Sequence, residues 1–517
     1  MKIIDRIIDR AVKKHLANAS RMYAAARPSR LTSGWSTPTS SADSEIRTSM
    51  TQLRARSRAL VRDASYAKRA RGIIVDNVIG TGIGMQGQVR SVRKKLMTRI
   101  NDAIESTWQK WSRPEFCHVG GALHFSDLER LLMGEVFEAG EVFVRIHRSE
   151  FGGSGIPYAL EVIESERVPH DDLQGISATV GNEVRMGIEV DWYYRPIAYW
   201  IRDRHPSEFM YPSVGDSERV RRVPADEIIH LRLIDRWPQV RGVPWVHAAA
   251  TKLNDMNNYS ESEIVGARAA ANFVGAYDGT TDLYGDADRQ DDGTYQTELE
   301  PGIILNPPPG KKFTLFSPSR PNSAFDPFMR YMLREVASGT GVSYESLSRD
   351  YSQSNYSSSR LALLDDRDLW RVLQSWFIRS FRMRVHCTWL AQAMYAKAVP
   401  TVSPAEYMTN VDKFEAVKFK PRGWSWVDPT KEVAAYKEAI KAGLTTRSKV
   451  IAATGGGDDI EDIDDERRQE LDAAAEKGLT FDTDPVAAVD DQDDETDDDQ
   501  DDDDNETKLS QKMRAVK

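Results

Sequence analysis

From Ser358 to Ala396 the chain runs without a proline or a glycine. At 1.5 Å of rise per residue such a run spans roughly 58 Å as a helix. Nothing else in the sequence restricts the fold as strongly. Leu361, Leu364, Trp370, Leu373, Phe377, Phe381, Val385, Trp389 and Leu390 recur along it, a stripe suited to a core or a subunit interface. Ahead of it lies a Ser-rich polar stretch, 339–361, opened by Gly339 and Gly341, which are suited to ending a helix. Before that, Asp326-Pro327 reads as an N-cap with proline at the first helical position, followed by Phe328, Met329, Met332, Leu333 and Val336 at helical spacing. A polar loop pinned between a short helix and a very long one reads as a presented tip, with a solvated linker as the plain alternative.

A chain of 517 residues is long enough for two or more cores. No run approaches eighteen apolar residues, so no membrane span is expected. The opening residues 1–14 carry aspartates where a secretion signal has its apolar core, and read as a short amphipathic helix. Cys117 and Cys387 lie far apart and imply no disulfide framework. Charge is unevenly placed: residues 1–100 hold 21 Lys/Arg against 6 Asp/Glu, whereas 490–506 hold 13 acidic side chains and no basic one. A basic head on an acidic body is not the pattern of a protein that grips DNA tightly on one face.

In chain order, residues 18–50 read as an extended arm, and Leu53–Asp63 as a basic helix with a solvated charged face. Gly82-Ile-Gly84-Met-Gln-Gly87 spells a dinucleotide fingerprint, but the helix expected over 89–108 is not followed by an apolar strand. Nucleotide binding is therefore disfavoured, and the glycines read as a turn. From about 122 to 245 short β-rich runs (141–146, 158–163, 186–190, 196–201) alternate with Gly, Pro and Asp clusters, which predicts a mixed α+β domain. Cys117-His118 and His124 lack the second ligand pair a structural zinc needs. A small-residue-rich helix is expected over 246–277, roughly 40 to 48 Å long. Residues 278–322 then make a compact excursion with short strands at 299–305 and 313–316. Gly310-Lys311-Lys312 is not a Walker A loop, because position 305 is leucine and no Ser/Thr follows Lys311. Further on, Asp428-Pro429 opens another helical unit, and beyond 479 the composition is that of an acidic disordered tail. With no nucleophile elbow, no HExxH and no Walker A, the sequence does not read as an enzyme's, and no cofactor is expected.

Several blocks carry a resemblance. Gly341-Val342-Ser343-Tyr344, Asp350-Tyr351-Ser352, Asn355-Tyr356-Ser357-Ser358 and Arg360 resemble the signature of lambda-type bacteriophage portal proteins. So do Asp76–Ile83, the helical units after Pro429, and above all His230 followed by Arg236-x-x-Gln239-x-Arg241-Gly242. The resemblance spans about residue 20 to 455. It implies an α+β portal-type protomer assembling as a ring, generally of twelve subunits, at one capsid vertex. The implied parts are an N-terminal basic arm (1–50), a mixed α/β wing (51–245), a first stem helix (246–277), a small β-containing clip (278–322) and a second stem helix (323–341). A tunnel loop (342–357), a long wing helix and return (358–428), crown helices (429–478) and the acidic tail (479–517) follow.

The resemblance further implies passage of double-stranded DNA without base reading, and contacts with the terminase large subunit, head–tail adaptors and the major capsid protein, but no membrane. On this reading Arg349, Ser352, Gln353, Asn355 and Tyr356 face the DNA, and Lys311 and Lys312 at the clip turn meet an acidic partner or passing DNA. Two other classes stay open: a DNA-binding scaffold acting through the basic arm, and a nucleotide-using enzyme built on the Gly82 run.

Overall fold

The structure, a computed structural model, describes residues 30, 39–170, 179–208, 219–272, 275–278, 312–315, 323–353, 355–424, 429–454 and 460–481. By internal contacts the chain divides into two units, Met1–Pro429 and Thr430–Lys517.

The first unit opens with α1 (Ala42–Asp63), capped by the Ser41 hydroxyl, which accepts from the Ser44 amide at 3.2 Å. The helix begins eleven residues before the expected position, so part of the segment read as an extended arm is helical. Arg56 and Arg62 keep its charged face in solvent, but Arg54 is drawn inward. Ile46, Met50, Arg54, Ser57 and Val61 recur at i+3/i+4 and are buried, with Arg54 among them. Next come α2 (Ser65–Val78), β1 (Gly84–Gly87), α3 (Thr98–Trp111) and α4 (Phe125–Ala139). The helix expected over 89–108 thus starts at Thr98, because 84–87 is a strand paired antiparallel with β11 (Val417–Lys420) and 90–96 closes a turn.

Two small antiparallel sheets fill the β-rich region. One is ordered β3-β2-β8 (Ala159–Ile163, Glu141–His147, Ile228–Arg232). The other runs β4-β5-β6-β7 (Glu183–Arg185, Ile188–Val190, Pro196–Arg202, Val220–Pro224). Strand β2 belongs to two cores at once. Val142, Val144 and Ile146 join the large helical core, whereas Phe143 joins a second cluster with Ile163, Ile188, Tyr199 and Ile201. The alternation of side chains along a strand makes this possible, and explains why Val142, Phe143 and Val144 are apolar in succession.

After a 3-10 turn at Trp245–Ala248 comes α5 (Ala250–Asn272), shorter than the 246–277 expectation. Residues Gly275–Asp278 (β9) are already strand, paired antiparallel with β10 (Lys312–Leu315). The excursion therefore closes on itself through a pair that the sequence did not predict; its expected strand at 299–305 lies outside the described residues. Helix α6 (Phe325–Thr340) follows, starting at Phe325 with Ala324 as cap rather than Asp326. Of the two glycines, only Gly341 terminates it, with φ +67 and Val342 donating back to the Ala337 carbonyl at 3.1 Å. Gly339 lies within the helix, where an added Cβ would come within 3.2 Å of the Ala249 Cβ.

After α7 (Tyr344–Ser348), the long element runs from Tyr356 to Tyr395 as α8 (Tyr356–Phe377), a π-helical turn (Ile378–Arg382) and α9 (Met383–Tyr395). Its aromatic stripe enters the main core: Trp389 meets Trp108 edge-on at 4.8 Å, and Phe381 stacks on Phe125 at 6.0 Å. Arg382 is fully buried beside Glu129, with its guanidinium over Trp108, Phe125 and Phe419. Cys117 is buried and donates to backbone carbonyls. Among the described residues no cluster of His, Cys, Asp and Glu could hold a metal, and no helix is long and apolar enough to cross a membrane.

The second unit holds α10 (Pro429–Lys441), α11 (Arg447–Thr454) and α12 (Ile460–Lys477). Gly443, at φ +72, ends α10, and an Arg447–Asp464 pair at 2.7 Å ties the other two.

Candidate functional site

The residues that the sequence brought forward fall in two places. The first is the connection between α6 and α8. Its root is fixed. Ser343 donates to Asp366 of α8 through its amide at 2.9 Å and its hydroxyl at 2.6 Å, and the Ser346 hydroxyl adds a third bond at 3.2 Å. Burial raises the Asp366 carboxyl despite these bonds. Leu347 is buried beneath the short helix α7. So the stretch read as one open polar loop is half a packed turn.

Beyond α7 the chain opens out. Arg349 ends α7 in the left-handed region at φ +58, its amide bonded to the Glu345 carbonyl at 2.9 Å. Asp350 accepts from the Ser352 hydroxyl at 2.6 Å, the Ser352 amide at 3.0 Å and the Tyr344 hydroxyl at 2.9 Å. The Ser352 and Tyr344 bonds, with Arg330 nearby, hold its carboxyl down at about 2. Asn355 then starts α8 through a reciprocal cap: the Ser358 amide donates to its side chain at 2.8 Å, and its own amide donates to the Ser358 hydroxyl at 3.1 Å. Between these anchors Arg349, Ser352, Gln353, Asn355, Ser357 and Ser358 are exposed, and Arg360 is half-buried on the first turns of α8. The Tyr356 side chain and Lys311 lie outside the described residues. Lys312 is the first residue of β10, paired with Asp278.

The second place is a buried polar hub, and it gathers the Arg-x-x-Gln-x-Arg-Gly block. Its centre is Glu141, the first residue of β2, fully buried. One carboxyl oxygen accepts from Arg54 of α1 and from Arg241 Nε at 2.7 Å; the other accepts from the Gly242 amide at 2.7 Å and His230 Nε2 at 2.9 Å. Burial alone would raise Glu141, but the two guanidiniums outweigh it and hold the carboxyl well below the usual range. Burial and the Arg232 guanidinium push His230 down to about 3. Its neutral form fits the geometry, because Arg232 approaches Nδ1 at 2.7 Å and so makes that nitrogen an acceptor. The His230–Glu141 contact is therefore a hydrogen bond and not an ion pair.

Arg241 spends its remaining donors on the Met186, Ser165 and Val168 carbonyls at 2.6, 3.1 and 3.2 Å. Gln239, also buried, accepts from the Asp235 amide at 2.9 Å and donates to the Arg241 carbonyl at 3.0 Å. Gly242 is there because an added Cβ would come within 2.2 Å of the Gly140 carbonyl oxygen. Arg236 is exposed and reaches the Ser40 carbonyl at 2.8 Å. This block is thus a clasp joining α1, both sheets and the loop after β8. Sequence reasoning found Gln239, Arg241 and Gly242 but missed their partners Arg54 and Glu141.

Comparison with known proteins agrees with these blocks. A family model described as phage portal protein, lambda family, matches residues 28–374, more than half of the chain. The chain is similar to the probable portal protein of Halomonas phage phiHAP-1, 31% identical over 448 residues and covering 84% of each chain. It is also similar to portal protein B of Escherichia phage lambda, 20% identical over 468 residues and covering 83% of this chain and 85% of that one. Among solved structures it is similar to a chain from the neck of a native GTA particle computed with C12 symmetry, at TM-score 0.40 and 15% identity, over 77% of this chain and 94% of that one. On the family match and the Halomonas phage relative, the chain belongs to the lambda family of phage portal proteins.

Proposed function

We propose that copies of this chain close into a ring, generally of twelve, at one capsid vertex, and that double-stranded DNA passes through its bore during packaging and ejection. In this reading residues 51–245 form the wing, α5 and α6 are the stem helices, β9 and β10 are the base of the clip, and the second unit is the crown. The clip meets the terminase large subunit and later the head–tail adaptors, while the rim meets the major capsid protein. Assembly takes place in the host cytoplasm.

The observation that carries the reading is the exposure of Arg349, Tyr351, Ser352, Gln353, Asn355, Ser357 and Ser358, in a segment anchored at one end by Asp366 and at the other by the Asn355 cap. It is a fixed bracket with a polar tip, suited to standing into a channel. Its charge suits sliding. Residues 343–358 hold one cation, Arg349, against Glu345 and Asp350. DNA presents one negative charge per roughly 1.7 Å of axis, and grip rises with every phosphate neutralised. A loop with one cation per copy steadies the duplex without holding it fast, and none of its contacts needs to read a base.

Negative-stain imaging of the purified full chain tests the ring: particles with a central hole are expected, and a strict monomer under all assembly conditions refutes it. Arg349→Asn keeps a residue that tolerates positive φ while removing the charge. It is expected to leave ring assembly intact and to lower DNA retention in filled particles at least severalfold. Unchanged retention and packaging would remove Arg349 from the channel.

A further inference from the structure

A cleft of about 320 Å³ lies between α2, α7, α8 and the stretch after β11. Arg69, Arg367 and Arg422 line it together with Trp370 and Trp424, and among the described residues no carboxylate does. The two indoles lie 5.7 Å apart, and the Arg367 guanidinium sits 5.7 Å from the Trp424 ring centre. Its shape is held from behind. Trp424 donates to the Asn77 side chain at 3.0 Å, and Gln374 donates to the Asn77 and Arg422 carbonyls, each at 3.0 Å. Arg69 is braced on the Ser346 carbonyl at 3.3 Å. The result is an apolar floor with a cationic rim.

The same helix carries the complement. Leu361, Leu364 and Val372 are 70%, 40% and 63% exposed, an apolar stripe on the outer side of α8. Asp365 and Asp368 lie along it, both exposed. Asp365 has no ion pair among the described residues, and Asp368 has only a solvent-exposed i,i+3 pair with Arg371, which costs little to exchange. At 100° per residue the stripe is centred about 140° around the helix from the Leu363, Arg367 and Trp370 face that lines the cleft.

We propose that the Leu361/Asp365/Asp368/Val372 stripe of one copy docks into the Arg69/Arg367/Arg422/Trp424 cleft of the next. Each copy then uses α8 twice, once as tongue and once as wall. Two different, complementary patches on nearly opposite faces are what a head-to-tail interface requires if its rotation is to close. DNA would meet the cationic rim but leave the leucines wet, so the stripe and the cleft together favour a second copy. The inference rests on the ring reading and adds which surfaces meet.

The test uses charge reversal in the full chain, with ring content measured by sedimentation velocity and negative stain. Arg367→Glu with Arg422→Glu, and separately Asp365→Arg with Asp368→Arg, should each cut ring content at least tenfold at wild-type concentration. The four changes combined should restore it. Rings at wild-type level in either reversal overturn the docking and leave the ring reading intact, whereas a wild-type chain that never forms rings overturns the ring itself. Failure of the combined variant to recover, with both reversals folded by circular dichroism, also overturns the pairing. A second readout keeps the native charges: Leu364→Cys with Ser346→Cys should give an oxidation-dependent ladder of protomer multiples that neither single variant gives. Absence of that ladder, or loss of DNA binding by the arginine reversal with rings unchanged, counts against a second copy as the occupant.

Discussion

Replacing Glu141 by Gln tests the buried hub most directly. The carboxylate is fully buried, and so are the Arg54 and Arg241 guanidiniums that it neutralises. All four contacts to Glu141 are from donors: the two guanidiniums on one oxygen, His230 Nε2 and the Gly242 amide on the other. Glutamine offers one acceptor and one donor. Whichever way its amide turns, an NH₂ group faces two N–H groups, and two buried cations lose their counter-charge. Breaking a buried pair on one side costs about 3–5 kcal/mol. A loss of that size is expected in the unfolding free energy, read from tryptophan fluorescence in a urea titration at concentrations where the chain is not assembled. Glu227→Gln is the control. It breaks the Arg145–Glu227 pair at 3.1 Å, whose side chains are about 30% exposed, and should cost less than ~1 kcal/mol. If Glu141→Gln costs no more than the control, the hub does not hold the sheets and α1 together, and the account of Arg241 and Gly242 as a clasp fails.

Two histidines make stability depend on pH. His230 is pushed down to about 3 and His386 to about 4, the latter by burial and by Arg382, so the unfolded chain binds protons that the folded chain refuses. Their contribution is complete above pH 6.5 and is lost as pH falls toward those values, at about 1.4 kcal/mol per pH unit for each group. Neither ring nitrogen of His386 has a hydrogen-bond partner among the described residues, so His386→Phe should be tolerated at neutral pH and remove one share of the slope between pH 6 and 5. An unchanged slope in that variant would show that His386 titrates normally. For Arg382 and Glu129, 3.4 Å apart and both buried, Glu129→Ala alone should cost about 3 kcal/mol or more, whereas Glu129→Leu with Arg382→Met should be close to neutral in the same urea titration. Equal losses in the two would mean that the aromatic contacts of Arg382, and not its charge, are what the fold needs.

How far the sequence reached depends on the range of the interaction that decides each element. The long helix was legible because its signals are local: no helix breaker, and an apolar stripe. Its start lies at Tyr356, two residues before the expected Ser358, because Asn355 and Ser358 close an Asn-x-x-Ser cap that a Ser-rich loop does not single out. Helix α1 begins before its expected start, and Arg54 alone leaves its solvated charged face for the interior. An arginine in helical register with Met50 is buried only because Glu141 waits for it 87 residues further on. No local pattern announces that. Strand β1 failed for the same reason, since its partner β11 is some 330 residues away. The site divides likewise. Arg349, Ser352, Gln353 and Asn355 were legible as polar, exposed residues. Asp366, which fixes where they stand, was not, because an aspartate on a helix carries no mark of the two serines it will bind.

The π-helical turn at Ile378–Arg382 has a bearing on how this element tolerates change. Phe377, Phe381, Val385, Trp389 and Ala393 follow one another at intervals of four and are all buried. In a regular helix that spacing drifts about 40° per step, which would carry the last of them out of the core. One wide turn, with i→i+5 bonding, absorbs most of the drift. The turn is equivalent to a single surplus residue. Removing exposed Arg379 should therefore heal the rod into an unbroken α-helix with Trp370 and Trp389 still pointing inward, whereas the same deletion one turn earlier or later would rotate half the stripe into water.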